Sequence, residues 1–322
     1  MSKPIIFMFS GQGSQYYHMG KDLYFENNVF RRWMVTLNDI VYKNAGISII
    51  DEIYNENKKR SEPFDQLLYT HPAIFMIEYS LARTLIESGV EPDYVLGASL
   101  GEVTSAAVAG AISIEKAIEC ILKQAELIEN YCELGGMIAI INNEELYHQV
   151  PIFSLNSELA AVNYSSHFVI SGTRNKLIKI EEYLKDRNIL FQTLPVRYGF
   201  HSSNIDSIES EYKKFLYKSS FKKAEISVIS CLTSGCITEV SPKFFLDVSR
   251  QPICFQKTVL EFEKKGQFNY IDVGPSGTLA TFVKKILDKD SVSQIYDILT
   301  PFSQGIKKLE RLKELFNVIK IS

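Results

Sequence analysis

This chain lacks the features that would commit it to a membrane or to nucleic acid. No run approaches the ~18 apolar residues of a spanning helix. With 35 Lys and Arg against 38 Asp and Glu, the net charge is −3 and no basic excess favours phosphate-dominated binding. Cysteine is sparse: five residues, Cys120, Cys132, Cys231, Cys236 and Cys254, odd in number and scattered. Cys231 and Cys236 make a C-x4-C spacing, with no second pair or nearby histidine to complete a zinc site. Reduced thiols, no metal and a cytoplasmic location are the expectation. The N-terminus runs straight into an apolar segment without the layout of a signal peptide. Gly11-x-Gly13 lacks the third glycine of a dinucleotide loop, so no nucleotide cofactor is expected. Repeats and low-complexity linkers are missing as well.

What remains is the composition of a globular chain. Its 322 residues are 46% hydrophobic and 23% charged, enough for one large domain or two smaller ones. Pro4 to Phe9 reads as a strand ending in the tight turn Ser10-Gly11-Gln12-Gly13-Ser14. Thr70-His71-Pro72 reads as a helix start leading into Ala73 to Ser88, and Ser113 as the cap of a helix to Tyr131. Strand alternating with helix predicts a parallel sheet covered by helices.

The middle of the chain changes character. Met137 to Asn142 reads as a strand followed by the polar segment Glu144 to Gln149, Leu159 to Asn163 and Phe168 to Ser171 as a hairpin, and Ile189 to Val196 as a strand after a helix over Lys176 to Asp186. That β-α-β-β-α-β order predicts a ferredoxin-like α+β insert over 132–197, within a larger α/β domain formed by 1–131 and 198–322. The large domain resumes with a helix over Asp206 to Tyr217 and a strand over Ile226 to Ser230. Helices over Pro242 to Val248 and Phe255 to Lys265 follow, then a strand over Tyr270 to Val273. A helix to Leu287 and an amphipathic helix over Phe302 to Ile321 end the chain.

One stretch carries chemistry. Gly97-Ala98-Ser99-Leu100-Gly101 fits G-x-S-x-G, follows the strand-like Tyr94-Val95-Leu96 and opens a small-residue helix, Val103 to Ala109. That context is what a nucleophile elbow requires. The helix start behind Ser99 aims free N–H groups at any oxyanion formed there. A serine hydroxyl needs a base within hydrogen-bond reach, and there are five histidines. His18 reads as surface, His148 as solvated, His167 as part of the insert hairpin, and His71 starts a helix. His201 follows Tyr198-Gly199-Phe200 just after the insert closes.

The chain resembles the malonyl-CoA:acyl carrier protein transacylase family, including the free-standing acyltransferases and acyl hydrolases that serve polyketide synthases. The matching motifs are Phe9-Ser10-Gly11-Gln12-Gly13-Ser14-Gln15, Gly97-Ala98-Ser99-Leu100-Gly101-Glu102, Ala161-Val162-Asn163, Gly199-Phe200-His201-Ser202 and Asp272-Val273-Gly274-Pro275. The resemblance implies an α/β-hydrolase-like domain with a parallel-sheet core, interrupted by the ferredoxin-like insert. It implies Ser99 as acyl-accepting nucleophile, His201 as general base, and the backbone N–H groups of Gln12 and Leu100 as oxyanion hole. Asn163, Gly199 and Phe200 then belong to the substrate-binding walls, and a backbone carbonyl within 248–251 orients the histidine. The implied partners are acyl carrier proteins or carrier domains. Acyl groups would arrive on their phosphopantetheine, or on CoA.

Departures from that pattern bear on substrate. Family members that take malonyl carry an arginine in the helix after the elbow, whose fork grips the malonyl carboxylate. The aligned residue here is Gln124. Ala117, Ile121, Gln124 and Ile128 share one face of that helix. Lys116, Glu119, Lys123, Glu126 and Asn130 line the opposite one, where Lys123 is expected to pair with Glu119. A glutamine before the helix proline is His71 here, and a histidine before the nucleophile is Ala98. The expected function is hydrolysis of neutral acyl thioesters from acyl carrier proteins through an acyl-Ser99 intermediate. The alternatives are a trans-acting transferase loading malonyl or an unusual acyl unit from CoA, and a non-catalytic homologue that docks on carrier proteins. Lys222-Lys223, Lys264-Lys265 and Lys284-Lys285 are candidate basic patches for an acidic carrier protein.

Overall fold

The computed structural model describes residues 3–237, 239–302 and 304–321, with side chains to Phe316; Met1, Ser2, Thr238, Ser303 and Ser322 lie outside the described residues. The strands are β1 (Ile5–Phe9), β2 (Tyr94–Gly97), β3 (Gly135–Ile140), β4 (Glu158–Tyr164), β5 (His167–Thr173), β6 (Phe191–Thr193), β7 (Ser227–Ser230), β8 (Gly235–Ile237), β9 (Asn269–Asp272) and β10 (Gln294–Asp297). A six-stranded sheet runs in the order β10-β9-β1-β2-β7-β8. It is parallel throughout except for the β7–β8 hairpin. A separate antiparallel sheet runs β4-β5-β3-β6. Its two outer strands are the second and fourth in chain order, the ferredoxin-like arrangement.

Side chains alternate across β1, which is buried on both faces. Phe7 and Phe9 pack with Phe30, Met34 and Ile74 from the helices Asn28–Ala45 and Leu67–Glu87. Ile6 and Met8 pack with Phe255, Val259 and Leu279 from Phe255–Glu263 and Thr278–Ile286. A parallel sheet is stable only when helices cover both faces in this way. The small sheet has its own core around Ile138, Phe153, Phe168 and Leu177. Backbone bonds join it to the large sheet's side of the molecule: Val162 N–H donates to Ile253 O and Ile253 N–H to Ala160 O. No helix of the described residues is long and apolar enough to cross a membrane.

Several expectations shift in detail. The helix expected to start at Thr70-His71-Pro72 starts at Leu67, so Pro72 lies inside it. Proline removes one donor there, and the first turn is held from outside instead: Leu67 N–H donates to Glu129 Oε1 at 2.6 Å. The strand expected over Ile189 to Val196 is only Phe191–Thr193. The helix expected from Asp206 begins as a 3-10 turn, Ser203–Ile208, before Glu209–Leu216. On Ile114–Tyr131, Ser113 caps Lys116 N–H as expected. Lys123 pairs with Glu126 rather than Glu119, and Glu119 takes Lys116.

Candidate active site

The site lies where β1 and β2, adjacent and parallel, end side by side. Ligands gather at the carboxyl ends of such strands. Ser99 has φ +58°, a left-handed conformation that costs a non-glycine residue energy. Its neighbours make the turn possible. A Cβ on Gly101 would sit 2.1 Å from Phe9 O, and one on Gly97 2.4 Å from Glu102 Cα. The loop after β1 presses equally close, since a Cβ on Gly11 would lie 2.9 Å from both Ser99 Cβ and Ala98 O. Gln12 is thereby carried beside Ser99. Its backbone N–H, like that of Leu100, is engaged by no protein acceptor among the described residues.

His201, also left-handed at φ +58°, meets Ser99 from across the cleft. Its Nε2 lies 2.7 Å from Ser99 Oγ. Its Nδ1–H donates to Gln251 O at 2.8 Å, so Nε2 carries the free lone pair and turns it toward Ser99 Oγ. Gln251 falls within the stretch 248–251 expected to supply that carbonyl. Ser249 O accepts from His201 N–H in addition. Burial lowers the His201 pKa to about 4, against which the Gln251 bond works, so the ring is neutral at neutral pH. Activity that depends on this base should hold down to about pH 5 and fall near pH 4, because only the neutral ring accepts a proton. The rate of Ser99 acylation against pH, with circular dichroism to confirm the fold, checks this. An acid limb at 6.5, the ordinary histidine value, would contradict it.

Two cavities meet at Ser99. The narrow one leaves ≈ 20 Å³ for the centre of a water-sized sphere, and is walled by Gln12, His71, Leu100, Val103, Gln124, Phe200, Tyr212, Phe245, Val248 and Ser249. The wide one leaves ≈ 370 Å³ and opens between the two sheets, past Ala98, Asn163, His167, Gln192, His201 and Phe282. Neither wall carries a lysine or arginine. Gln124 Nε2 donates to Ser249 Oγ, which itself donates to Phe245 O. Asn163 Nδ2 lies 3.0 Å from His167 Nδ1.

His71 is fully buried, 5.7 Å ring to ring from Phe200, and burial lowers its pKa to about 3. Gly199 borders neither cavity. Its requirement is local, for a Cβ there would lie 3.0 Å from Asn204. His18, expected at the surface, is half-buried and bonds Lys58 O at 2.7 Å. None of the three lysine pairs lines either cavity. Lys264 is tied to Glu261, and Lys284 lies 3.9 Å from Asp297.

Three buried carboxyls were not singled out from the sequence as site residues. Glu78 accepts from Ser10 N–H and Oγ–H, fixing the start of the Gln12 loop. Glu102 accepts from Ser230 Oγ–H and Cys231 N–H, tying the elbow helix to β7. Asp272 accepts from Gly274 and Ala280 N–H. Desolvation pushes Glu78 and Glu102 up to about 8 and Asp272 to about 6. Glu102 and Asp272 stand inside motifs visible in the sequence, so their positions, though not their partners, were available to view.

The chain belongs to the acyltransferase family: the family description "Acyl transferase domain" matches residues 6–321. Enzymes of this family act on acyl groups. Among its relatives is "Polyketide biosynthesis acyltransferase homolog PksD" of Bacillus subtilis, 48% identical over 313 residues and 97% of each chain. Another, "Polyketide biosynthesis acyltransferase homolog BaeD" of Bacillus velezensis, is 46% identical over 98% of this chain and 97% of its own. Among solved structures, a malonyl-CoA:acyl carrier protein transacylase from Streptococcus pneumoniae superimposes with TM-score 0.81 at 25% identity, covering 96% of this chain and 99% of that one. A loading acyltransferase of the avermectin polyketide synthase shares the fold, with TM-score 0.88 at 20% identity over 97% and 99%.

Proposed function

We propose that this chain hydrolyses short neutral acyl thioesters, clearing acyl groups from the phosphopantetheine of polyketide synthase acyl carrier proteins. The observation that carries this reading is Gln124, held by Ser249 in a pocket walled without a cation. A malonyl carboxylate there would be desolvated and unpaired, which costs about 2–5 kcal/mol. An acetyl or butyryl group meets no such penalty. The two relatives named as polyketide biosynthesis acyltransferase homologs support the polyketide setting.

In this reading Ser99 Oγ attacks the thioester carbon while His201 Nε2 takes its proton. Gln12 and Leu100 N–H groups hold the tetrahedral oxyanion. His201 returns the proton to the departing thiol, and the acyl-Ser99 ester remains. A water then gives its proton to the same nitrogen, attacks the ester, and releases the carboxylic acid and the serine hydroxyl. The carrier-protein thiol would enter through the wide cleft. No metal or nucleotide takes part, and the setting is cytoplasmic.

The test is product analysis with acyl carrier protein loaded with acetyl, butyryl or malonyl. Free acetate and butyrate should appear, with malonate slower by about 30-fold or more. Rapid malonyl transfer from CoA to carrier protein, with little free acid, would establish the transferase reading instead.

A further inference from the structure

Two residues that wall the narrow pocket beside Ser99 carry buried polar atoms with no hydrogen-bond partner among the described residues. Both ring nitrogens of His71 are buried without a hydrogen-bond partner, on a side chain only 1% exposed. Gln12 Oε1 is buried and unpartnered as well, although Gln12 Nε2 donates to Thr70 Oγ1 at 3.0 Å. Gln124 and Ser249 do not relieve them, because their own bonds run to each other and to Phe245 O. Buried polar groups are almost always bonded, so orphans on two residues of one cavity wall point to a ligand that reaches them when it enters.

The chemistry of the orphans narrows that ligand. A neutral imidazole offers one N–H donor and one acceptor, and the amide oxygen is an acceptor only. No charge is present to balance an anion. A hydroxyl can accept from the His71 N–H and donate to an acceptor such as Gln12 Oε1; a ketone can only accept, and a methyl group can do neither. The free space holds about one water-sized group. That space takes the terminal group of a short chain anchored on Ser99 and excludes a long one. We propose that this pocket contains a hydroxyl subsite, in which His71 and Gln12 bind the hydroxyl of a short 3-hydroxyacyl group carried on Ser99. The inference deepens the substrate class proposed above and rests on the narrow cavity being the acyl pocket.

Loading and release separate the two claims. Pantetheine thioesters of 3-hydroxypropionate and butyrate, which differ only by hydroxyl for methyl, are offered to the full chain. The rate of acyl-Ser99 formation is read by intact mass before any release. Loading of 3-hydroxypropionyl is expected to exceed butyryl by tenfold or more. His71→Leu, which keeps bulk and removes both nitrogens, should bring the two rates within about threefold, mainly by slowing the hydroxylated substrate. Equal loading in the unmodified chain would overturn the proposal, and would mean that a resident water satisfies these atoms. A preference that survives in folded His71→Leu would also overturn it. If that variant fails to fold, the ratio in the unmodified chain still decides. Hydroxyacyl loading without release to water would leave this subsite standing and defeat the hydrolase reading.

Discussion

Ser99→Ala is expected to abolish the acyl-enzyme and lower thioester turnover by about 10⁴- to 10⁶-fold. His201→Ala should fall nearly as far, and the double variant little further, because the pair acts as one unit through the 2.7 Å contact between Oγ and Nε2. Neither substitution fills space or strands a carboxylate. The His201 ring gives up only its bonds to Ser99 and to Gln251 O. Folding should therefore survive, and a melting curve checks it. The informative comparison is with His167, which also borders the wide cleft. Burial lowers its pKa, and its Nδ1 contacts Asn163 rather than a group at Ser99. His167→Ala should slow acylation far less than His201→Ala. If His201→Ala keeps a tenth of the rate, the base lies elsewhere.

Gln124→Arg is expected to raise malonyl loading relative to acetyl by about 30-fold to several-thousand-fold, the reverse of removing one partner from a desolvated charge pair. The guanidinium would reach into a wall that holds no carboxylate. Before substrate binds it is a half-buried cation without a partner, so the melting temperature should drop. A bound malonyl group supplies the missing charge, and malonyl-CoA should restore part of the loss. An arginine variant that melts like the parent and gains no malonyl loading would mean that Gln124 does not face the acyl group.

The Ser99 turn was legible because its requirements are local, whereas His201 stood out only through the family resemblance, its contact with Ser99 spanning 102 residues. G-x-S-x-G names a turn that tolerates no Cβ at either glycine, and the close approaches at Gly97 and Gly101 are the physical content of that pattern. The alternation through β1 and the β-α-β-β-α-β order of the small sheet likewise depend on neighbours in sequence. What stayed hidden depends on partners far along the chain. The helix starts at Leu67, whose N–H is taken up by Glu129 far along the chain, whereas in the sequence alone Pro72 reads as a first-turn proline. The edge strands β8 and β10 are short and partly exposed, without an apolar run to announce them. Helix Asn28–Ala45 did carry local signals, Asn27 capping Phe30 N–H and left-handed Gly46 ending it, and these were available to be read. The narrow pocket draws Gln12, His71, Gln124, Phe200 and Ser249 from separate segments. Gln124 was placed on the inward face by helical spacing, but its bond to Ser249 has no signature in the sequence.

The most direct test isolates the deacylation step. Acetyl-Ser99 enzyme, prepared from an acetyl thioester and freed of excess, is divided between buffer alone and buffer with unloaded acyl carrier protein, and its decay is followed by mass. The account predicts loss to acetate at the same rate in both, with His201→Ala leaving the ester stable. An ester that persists in buffer and passes quantitatively to the carrier-protein thiol would contradict it, and would make the chain a transferase.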